Sequence, residues 1–439
     1  MANSADYLEL YFATALAGIV IVPLNIRWNI DDMVFSLEDA GAKALVYDHR
    51  FIVPGRQIAA RLPLLKIIDY YPALRAAAKL QTDWPEPKPE DLVGLFYTSG
   101  TTGGPKGVML THRNLFAHTT FAVLEGVAPS GIYLHACPMF HLADIALLFA
   151  VTNEGGTHTF IETFDPLDFL TAVERHRVTA VVLVPTMINM VVNHSEFNRY
   201  DLSSLELLLY GASPMPLPLL ELAMQKLRCK FVQAYGMTEM SPIMTLLHPE
   251  DHQLDAAQVK SAGRPMHGVE VRVVDELDHD VNIGEVGEII GRGEVMMKGY
   301  WNRPDINREV MRGGWMHTGD MGTFDEKGYL YILDRKKDMI KTGGENVYSP
   351  EVESMVMSHP AILECAMIGI PHEKWGETIR AIVVIRPGMS LTEAELLDWC
   401  RQRLTHFKCP TSVAFLEALP KGGSGKIQKN QLRKQYMTA

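Results

Sequence analysis

The sequence predicts an α/β protein with a large N-terminal domain of strand-helix units and parallel sheets, a β-rich appendage, and a small mobile α+β C-terminal domain. The chain has 439 residues, more than the roughly 250 to 300 at which single hydrophobic cores stop growing. Short apolar runs alternate with helical patterns in the first half of the chain, which is typical of parallel sheets. Hairpin patterns with glycines at the turns then follow.

The alternation in the first half indicates where its elements lie. Gly18 and Gly41 are predicted to end the first two helices, and Asp31 or Asp32 to cap the start of the second. The apolar runs predicted as strands cover 19–22, 43–47, 92–97, 179–184, 206–210 and 231–234.

The second half changes character twice. VEVRVVDE at 269–276 and GEIIGRG at 287–293 predict β-hairpins. A charged run at 335–338 is then followed by roughly one hundred residues of mixed strands and helices. We therefore predict a large domain at 1–334 and a small domain at 335–439.

Charge and cysteine content exclude several classes of protein. The 41 Lys and Arg against 52 Asp and Glu give a net charge of −11, which argues against broad binding to nucleic acid or anionic lipid. The 5 cysteines are dispersed without a CxxC pair, and we expect them to be reduced thiols.

The start of the chain does not resemble a signal peptide. It lacks a basic first region and carries Asp6 and Glu9. The longest apolar run there, 15–22, is too short to span a bilayer. We expect a cytoplasmic protein without a transmembrane segment.

The most informative segment is TSGTTGGPKG at 98–107. Glycines let a backbone approach an anion, hydroxyls donate hydrogen bonds, and a lysine adds positive charge, so such a loop can bind phosphates. Clusters of this composition are more commonly surface turns. It is not a Walker loop, because Pro105 stands where that motif requires glycine. The predicted phosphate contacts are Thr98, Ser99, Gly100, Thr101, Thr102, Gly103 and Lys106.

This segment resembles the signature of the acyl-adenylate-forming superfamily, and the chain as a whole resembles its acyl-CoA synthetase branch. The resemblance implies ATP, Mg²⁺ and coenzyme A as cofactors. YGMTE at 235–239 follows the predicted strand 231–234, at the end where open α/β sheets place ligands.

The resemblance assigns roles within and beside YGMTE. Tyr235 is expected near adenine, Thr238 at a phosphate and Glu239 on magnesium, a hard cation that prefers carboxylate oxygen. The turn GAS at 211–213 is expected to lie against adenine and the acyl chain, although alone it would be an ordinary loop. The nucleotide contacts predicted here are Gly211, Ala212, Ser213, Gln233, Ala234, Tyr235, Gly236 and Thr238.

Further resemblances lie near the predicted domain boundary and beyond it. Asp320, in HTGD, and Arg335 are expected to bind ribose, and Lys337 to be the hinge of the small domain. Gly343, Gly344 and Glu345 are expected to approach coenzyme A with Trp375, although a tryptophan is more often a core residue.

Two residues are expected to act on the acid. Lys426, in PKGGSGKIQK, would counter the repulsion between the carboxylate and the α-phosphate. His141, in PMFHL, is expected to contact the carboxylate, with a structural role as the alternative. The predicted catalytic residues are Lys426, Lys106, Thr238, Glu239 and His141, and the predicted substrate contacts are His141, Tyr210, Gly211 and Met237.

The predicted function is ATP-dependent acid-CoA ligation through an acyl-AMP and pyrophosphate, with a medium- or long-chain fatty acid or an aryl acid as substrate. Adenylation with another acceptor, such as a carrier protein or an amine, and a truncated non-catalytic ATP-binding protein remain alternatives. The resemblance begins late, so we expect the usual N-terminal segment to be missing and a sheet edge to be exposed. A homo-oligomer is also left open.

Overall fold

The computed structural model describes residues 1–69, 75–76, 84, 86–98, 104–421 and 427–436. The chain divides into two compact units. The first unit contains Met1–Arg272, Ile290–Thr318 and Gly328–Leu330, and the second unit contains Val273–Ile289, Gly319–Lys327 and Tyr331–Ala439.

The helices of the described residues are mostly short and lie between strands. Their bounds are α1 (Ala5–Leu16), α2 (Ile30–Asp39), α3 (Ile52–Arg61), α4 (His112–Leu124), α5 (Leu142–Asn153), α6 (Pro166–His176), α7 (Pro185–Val192), α8 (Leu217–Leu227), α9 (Pro304–Val310), α10 (Ser349–Met357), α11 (Glu393–Arg401) and α12 (Lys429–Tyr436).

The strands of the first half have the bounds β1 (Ala44–Val46), β2 (Lys66–Ile68), β3 (Leu92–Thr98), β4 (Lys106–Thr111), β5 (Ile132–His135), β6 (Thr157–Phe160), β7 (Ala180–Leu183), β8 (Leu207–Gly211), β9 (Lys230–Gly236), β10 (Ile243–Leu247) and β11 (Arg264–Pro265). Those of the second half are β12 (Val269–Val274), β13 (Gly287–Gly293), β14 (Gly299–Tyr300), β15 (Met316–Phe324), β16 (Leu330–Arg335), β17 (Ile340–Thr342), β18 (Glu345–Val347), β19 (Ile362–His372), β20 (Gly376–Ile385) and β21 (Ser412–Phe415).

A seven-stranded sheet forms the centre of the first unit, in the order β11-β10-β9-β8-β7-β5-β6. Strands β6, β5, β7, β8 and β9 pair in parallel, and β10 and β11 add antiparallel partners at one side. Helices α6, α7 and α8 contribute Phe169, Ile188 and Leu220 to the buried apolar cluster that also contains Leu208 of β8. The predicted α/β fold class is confirmed.

A smaller antiparallel sheet, β14-β4-β3, also belongs to the first unit. Thr98 of β3 pairs with Lys106 of β4, so the segment TSGTTGGPKG connects the two strands of a hairpin. On the other side of β4, Tyr300 pairs with Val108. This register fixes which side chains meet across β3, β4 and β14.

The second unit contains the sheet β18-β17-β20-β19, in which β21 pairs in parallel with β20. Helices α10 and α11 contribute Val352 and Leu396 to one apolar cluster, and α12 contributes Leu432 to another. A further sheet has the strand order β12-β13-β15-β16. The hairpins predicted at 269–276 and 287–293 correspond to its first two strands.

Two local predictions are wrong. Residues 19–22 do not form a strand, and only Ile21 makes a bridge, to Gly94. Pro23 follows Val22 and lacks the N–H that would extend a ladder. Ile19 is 56% exposed. The second helix is capped by Asn29, whose side-chain oxygen accepts from Asp32 N at 2.8 Å, whereas Asp31 and Asp32 lie in its first turn.

Among the described residues, no helix is both long and apolar enough to cross a membrane.

Buried histidines make the stability of this fold depend on pH. Burial lowers the pKa of His118 on α4 to about 4, and the side chain is only 2% exposed. In the unfolded chain this histidine is protonated below about pH 6.5, whereas in the native state it is protonated only below about pH 4. The free energy of unfolding therefore decreases as pH falls through this window. A shift of this size corresponds to about 3 kcal/mol.

We expect His118→Gln to remove part of this acid destabilisation. The difference in unfolding free energy between pH 7 and pH 4.5, measured by urea titration, should shrink by about 2 kcal/mol relative to the unmodified protein. Replacing His406, which is exposed, by glutamine should leave the difference unchanged. An equal difference in the His118 variant would contradict the assignment.

Candidate active site

The carboxyl ends of the parallel strands form one edge of the seven-stranded sheet. Strands β8 and β9 lie side by side, with Gly211 opposite Ala234. The residues predicted at 211–213 and 235–239 therefore leave neighbouring strands at the same edge. The chain leaving β5, one strand beyond β7, leads to His141. Ligands of open α/β sheets bind at such an edge.

Close backbone approach explains two glycines at this edge. A Cβ atom on Gly211 would lie 2.2 Å from the carbonyl oxygen of Ala234, and one on Gly236 would lie 1.9 Å from that of Pro242. Neither position can hold a side chain without moving the backbone. Beside them, Ala212 is exposed and Tyr235 is half-buried, so the edge is accessible to a small molecule.

Glu239 lies in a short 3₁₀ turn, Thr238–Met240, that follows β9. Its carbonyl accepts a hydrogen bond from Met297 N at 2.8 Å. Two residues on, Ser241 Oγ donates to the carbonyl of Val295 at 2.7 Å. The turn is thus attached to the chain segment that leads into β14, and Glu239 is 6% exposed.

One tyrosine connects the two charged groups predicted to handle phosphate. Tyr300 Oη donates to Glu239 Oε1 at 2.6 Å. The ammonium of Lys106 lies 5.3 Å from the centroid of the same ring, within the range of a cation-π contact. Lys106, Tyr300 and Glu239 therefore form one contiguous group in the first unit, with the lysine near the ring of Tyr300 and the carboxylate at its hydroxyl.

Glu239 suits a magnesium ion. Mg²⁺ in nucleotide enzymes is usually held by one or two carboxylates together with phosphate oxygens and water. The described residues contain no cluster of three or more His, Cys, Asp or Glu that could hold a metal alone. A single carboxylate oriented by Tyr300 fits an ion whose remaining ligands come from ATP.

His141 lies at the start of α5, as its N-cap residue. Its backbone N–H donates to the carbonyl of Pro138 at 2.9 Å, and its ring lies 4.7 Å from that of Phe140. The side chain is half-buried.

The side chain of Tyr210 points into the core. It is 1% exposed, and its hydroxyl lies 3.3 Å from Gln233 Oε1 and 3.0 Å from His252 Nε2. A contact between this residue and an acid would therefore have to involve its backbone. Met237 is half-buried beside the Glu239 turn.

The ribose residues predicted from sequence lie together in the second unit. Arg335 Nε is 3.3 Å from Asp320 Oδ1. Asp320 is on β15 and Arg335 ends β16, and these strands are neighbours in one sheet.

In sequence, Lys337 lies between Asp334 and Asp338, and both aspartates accept hydrogen bonds from residues of other elements. Asp334 Oδ2 accepts from both the backbone N–H and the hydroxyl of Ser349, at 2.7 and 2.8 Å. Asp338 Oδ1 accepts from Arg433 of α12 at 2.7 Å. Burial, followed by the neighbouring Arg335, lowers the pKa of Lys337.

The segment predicted to approach coenzyme A includes a glycine turn and a tryptophan in contact. Gly343 N donates to the carbonyl of Trp375 at 2.9 Å, and a Cβ atom on Gly343 would lie 2.9 Å from the Trp375 ring. Gly344 follows, and Glu345 starts β18. Trp375 is 45% exposed, and the ammonium of Lys374 lies 4.5 Å from the centroid of its ring.

Some predicted residues lie outside the described part of the chain. They are Ser99, Gly100, Thr101, Thr102 and Gly103 of the phosphate loop, and Lys426. Thr98 is described and lies half-buried at the end of β3.

Tyr300 was not among the residues predicted from sequence. Lys106 and Glu239 belong to recognisable motifs, whereas Tyr300 lies in the unremarkable string KGYWNRP. Its place depends on the pairing of β14 with β4, which the linear sequence does not reveal.

Curated relatives align over nearly the whole chain. A feruloyl-CoA synthase of Amycolatopsis sp is 41% identical over 438 residues, covering 99% of this chain and 87% of that protein. The long-chain-fatty-acid-CoA ligase FadD13 of Mycobacterium tuberculosis is 35% identical, with coverage of 99% and 87%.

Solved structures share the fold. The o-succinylbenzoate CoA synthetase MenE of Bacillus subtilis, in complex with its acyl-adenylate intermediate, matches with a TM-score of 0.89 and 33% identity over 98% of this chain and 86% of that one. The same enzyme is also known in complex with ATP and a magnesium ion. The amide bond synthetase McbA of Marinactinospora thermotolerans matches with a TM-score of 0.88 and 29% identity over 99% and 88%.

Two family models cover most of the sequence. The model described as AMP-binding enzyme matches residues 1–301, and the model of the AMP-binding enzyme C-terminal domain matches residues 351–426. The chain belongs to the AMP-binding enzyme family.

Proposed function

We propose that the chain is an ATP-dependent acid-CoA ligase, which converts a carboxylic acid and ATP into an acyl-adenylate and pyrophosphate and then transfers the acyl group to coenzyme A. The observation that carries this proposal is the group formed by Lys106, Tyr300 and Glu239 at the β3–β4 hairpin. The named activities of the curated relatives and of MenE support it.

The first half-reaction needs alignment and charge neutralisation more than a protein nucleophile. The acid's carboxylate attacks the α-phosphorus in line with departing pyrophosphate. A magnesium ion on Glu239 would neutralise phosphate charge. Lys106 adds positive charge beside the phosphates, Thr98 and Thr238 offer hydroxyl donors, and Lys426 stabilises the charge that develops between the two anions.

The nucleotide's other parts are assigned by the same proposal. Adenine lies near Tyr235 and the GAS turn, and Asp320 with Arg335 binds ribose. A carboxylate can accept from both ribose hydroxyls at once. His141 donates to the acid's carboxylate without acting as a base.

The second half-reaction uses a different part of the second unit. We propose that a backbone rotation at Lys337 exchanges the adenylating and thiol-transfer poses. The hydrogen bonds from Ser349 to Asp334 span Lys337 in sequence, so this rotation would require them to break. Gly343, Gly344, Glu345 and Trp375 would then flank the thiol's path.

We expect Trp375→Ala to raise the KM for coenzyme A roughly tenfold, because an exposed aromatic surface that a ligand covers contributes strongly to binding. The rate of pyrophosphate release in the absence of coenzyme A should stay unchanged. Trp84, which is also half-exposed, provides a matched control, and its alanine variant should leave the KM for coenzyme A as it is. A normal KM in the Trp375 variant would count against this assignment.

A panel experiment tests the proposed function. Purified protein with ATP and Mg²⁺ would be given fatty acids of increasing length and aryl acids such as cinnamic acids, with and without coenzyme A. Formation of acyl-CoA, detected by mass spectrometry, and pyrophosphate release that coenzyme A accelerates are the expected results. ATP binding without acyl-adenylate from any acid would favour a non-catalytic protein.

The acceptor has one serious alternative. McbA shows that this fold also forms amide bonds. If pyrophosphate release were independent of coenzyme A but accelerated by an added amine, the adenylating half of the proposal would stand and the acceptor would change.

A further inference from the structure

A chain of hydrogen bonds runs from the surface to a fully buried carboxyl in the first unit. His135 Nδ1 lies 2.6 Å from Asp144 Oδ2, and both side chains are completely buried. His135 Nε2 lies 2.9 Å from His158 Nδ1, and His158 Nε2 lies 2.9 Å from the hydroxyl of Thr152, which is exposed. Strands β5 and β6 and helix α5 each contribute to this chain.

The direction of these hydrogen bonds follows from the outer end. The hydroxyl of Thr152 donates its one proton to the carbonyl of Leu148 at 3.0 Å, so it accepts from His158 Nε2–H. Burial lowers the pKa of His158 to about 4, so at neutral pH its Nδ1 is an acceptor. His135 must therefore donate Nε2–H to His158, and a further proton lies between His135 Nδ1 and Asp144.

This arrangement makes His135 and Asp144 dependent on each other. The proton between His135 Nδ1 and Asp144 Oδ2 leaves the pair with no net charge, whichever of the two atoms it is bonded to. Breaking such a buried pair by removing one member leaves the other uncompensated. The titratable side chains that face the pair are Tyr133 and Cys137 from β5 and its continuation, Tyr11 from α1 and His158 from β6.

The pair is linked to His141 through the first turn of α5. Asp144 is in the first turn of α5, and its backbone N–H donates to the carbonyl of His141 at 3.1 Å. His135 ends β5, and the chain between the two histidines is held from the other side by Asn3. The Asn3 amide donates to the carbonyl of Cys137 at 2.8 Å and accepts from Met139 N at 2.8 Å.

We propose that His135 and Asp144 are positioning residues for His141. They attach the first turn of α5 to the end of β5, and His158 fixes the orientation of the His135 ring. This inference rests on the proposed function, in which His141 contacts the acid's carboxylate. Loss of the pair should therefore weaken the use of the acid and leave the use of ATP unchanged.

A double-mutant cycle tests the proposal. Asp144→Asn should raise the KM for the acid roughly tenfold, with the KM for ATP unchanged. If Asp144 acts through His141, the effects of substitutions at the two residues should not add. In a His141→Ala background, the same Asp144 substitution should have little further effect. An equal increase in both backgrounds, or no increase in either, would overturn the positioning role.

A second variant and a spectroscopic signal keep the test informative. If Asp144→Asn does not fold, His158→Asn breaks the chain one residue further out, with the same two outcomes at a smaller size. In ¹⁵N-histidine-labelled protein, the ring N–H of His135 bonded to Asp144 should resonate far downfield and move upfield in Asp144→Asn. Should the unmodified protein activate no acid, the proposed function fails, and an unmoved resonance would separately refute the hydrogen-bonded pair.

Discussion

Glu239→Gln is expected to lower the rate of pyrophosphate release by roughly 10²- to 10³-fold, as loss of one preorganised charge-stabilising group does in other enzymes. Glutamine keeps an oxygen that can accept from Tyr300 Oη, so the turn at Thr238–Met240 should retain its conformation. The substitution removes the negative charge that magnesium requires. The loss should thus appear in turnover and in the magnesium concentration needed for half-maximal rate, both measurable by a coupled pyrophosphate assay.

Two further variants distinguish loss of charge from loss of structure. Glu294, which is more than half exposed and pairs with Arg113, can be changed to glutamine as a matched control that should keep full activity. Tyr300→Phe removes the hydrogen bond to Glu239 but keeps the ring beneath Lys106, so it should cost less than Glu239→Gln. A Glu239 variant with normal magnesium dependence would refute the metal assignment.

Apolar runs in the sequence predicted several strands correctly. The runs at 43–47, 179–184 and 206–210 became β1, β7 and β8. Strands β7 and β8 lie inside the seven-stranded sheet, and a parallel strand that is buried on both faces requires a continuous apolar run. The run at 19–22 has the same composition but no ladder beyond Ile21. Whether an apolar run finds a partner is decided by the tertiary fold.

The motifs located individual residues of the candidate site but not the contacts between them. Lys106 and Glu239 are 133 positions apart in sequence, and Tyr300 connects them only because of the register of β14 on β4. The His135–Asp144 pair depends in the same way on the tertiary fold, which brings the start of α5 to the end of β5. Neither contact has a local pattern.

The strand pattern around Tyr210 indicates that its side chain is buried. Side chains alternate between the two faces of a strand, so Tyr210 must face the same side as Leu208. Both are buried in one apolar cluster. Strand alternation thus indicates a core side chain for Tyr210 even where the motif beside it suggests a substrate contact.

A loss of similar size is expected from Lys426→Ala. In the proposed mechanism this lysine stabilises the charge that develops when a carboxylate meets the α-phosphate, and the repulsion between these two anions is then uncompensated. Adenylation, measured as acid-dependent pyrophosphate release, should fall by at least roughly 10²- to 10³-fold. The transfer of acyl groups from a supplied acyl-adenylate to coenzyme A should change little, because that step has no second anion to bring together.

The contrast between the two half-reactions is what makes the Lys426 prediction specific. A variant that merely unfolds the C-terminal region would lose both halves, since the coenzyme A assignment also lies in the second unit. Lys434, which is exposed on α12, provides a matched control eight residues further along. Lys434→Ala removes the same charge and should leave the rates of adenylation and of acyl transfer unchanged. Equal losses of adenylation and transfer in Lys426→Ala would contradict a specific role of this lysine in adenylation. Loss of adenylation alone would support that role and would leave thiol transfer to the Gly343 turn and Trp375.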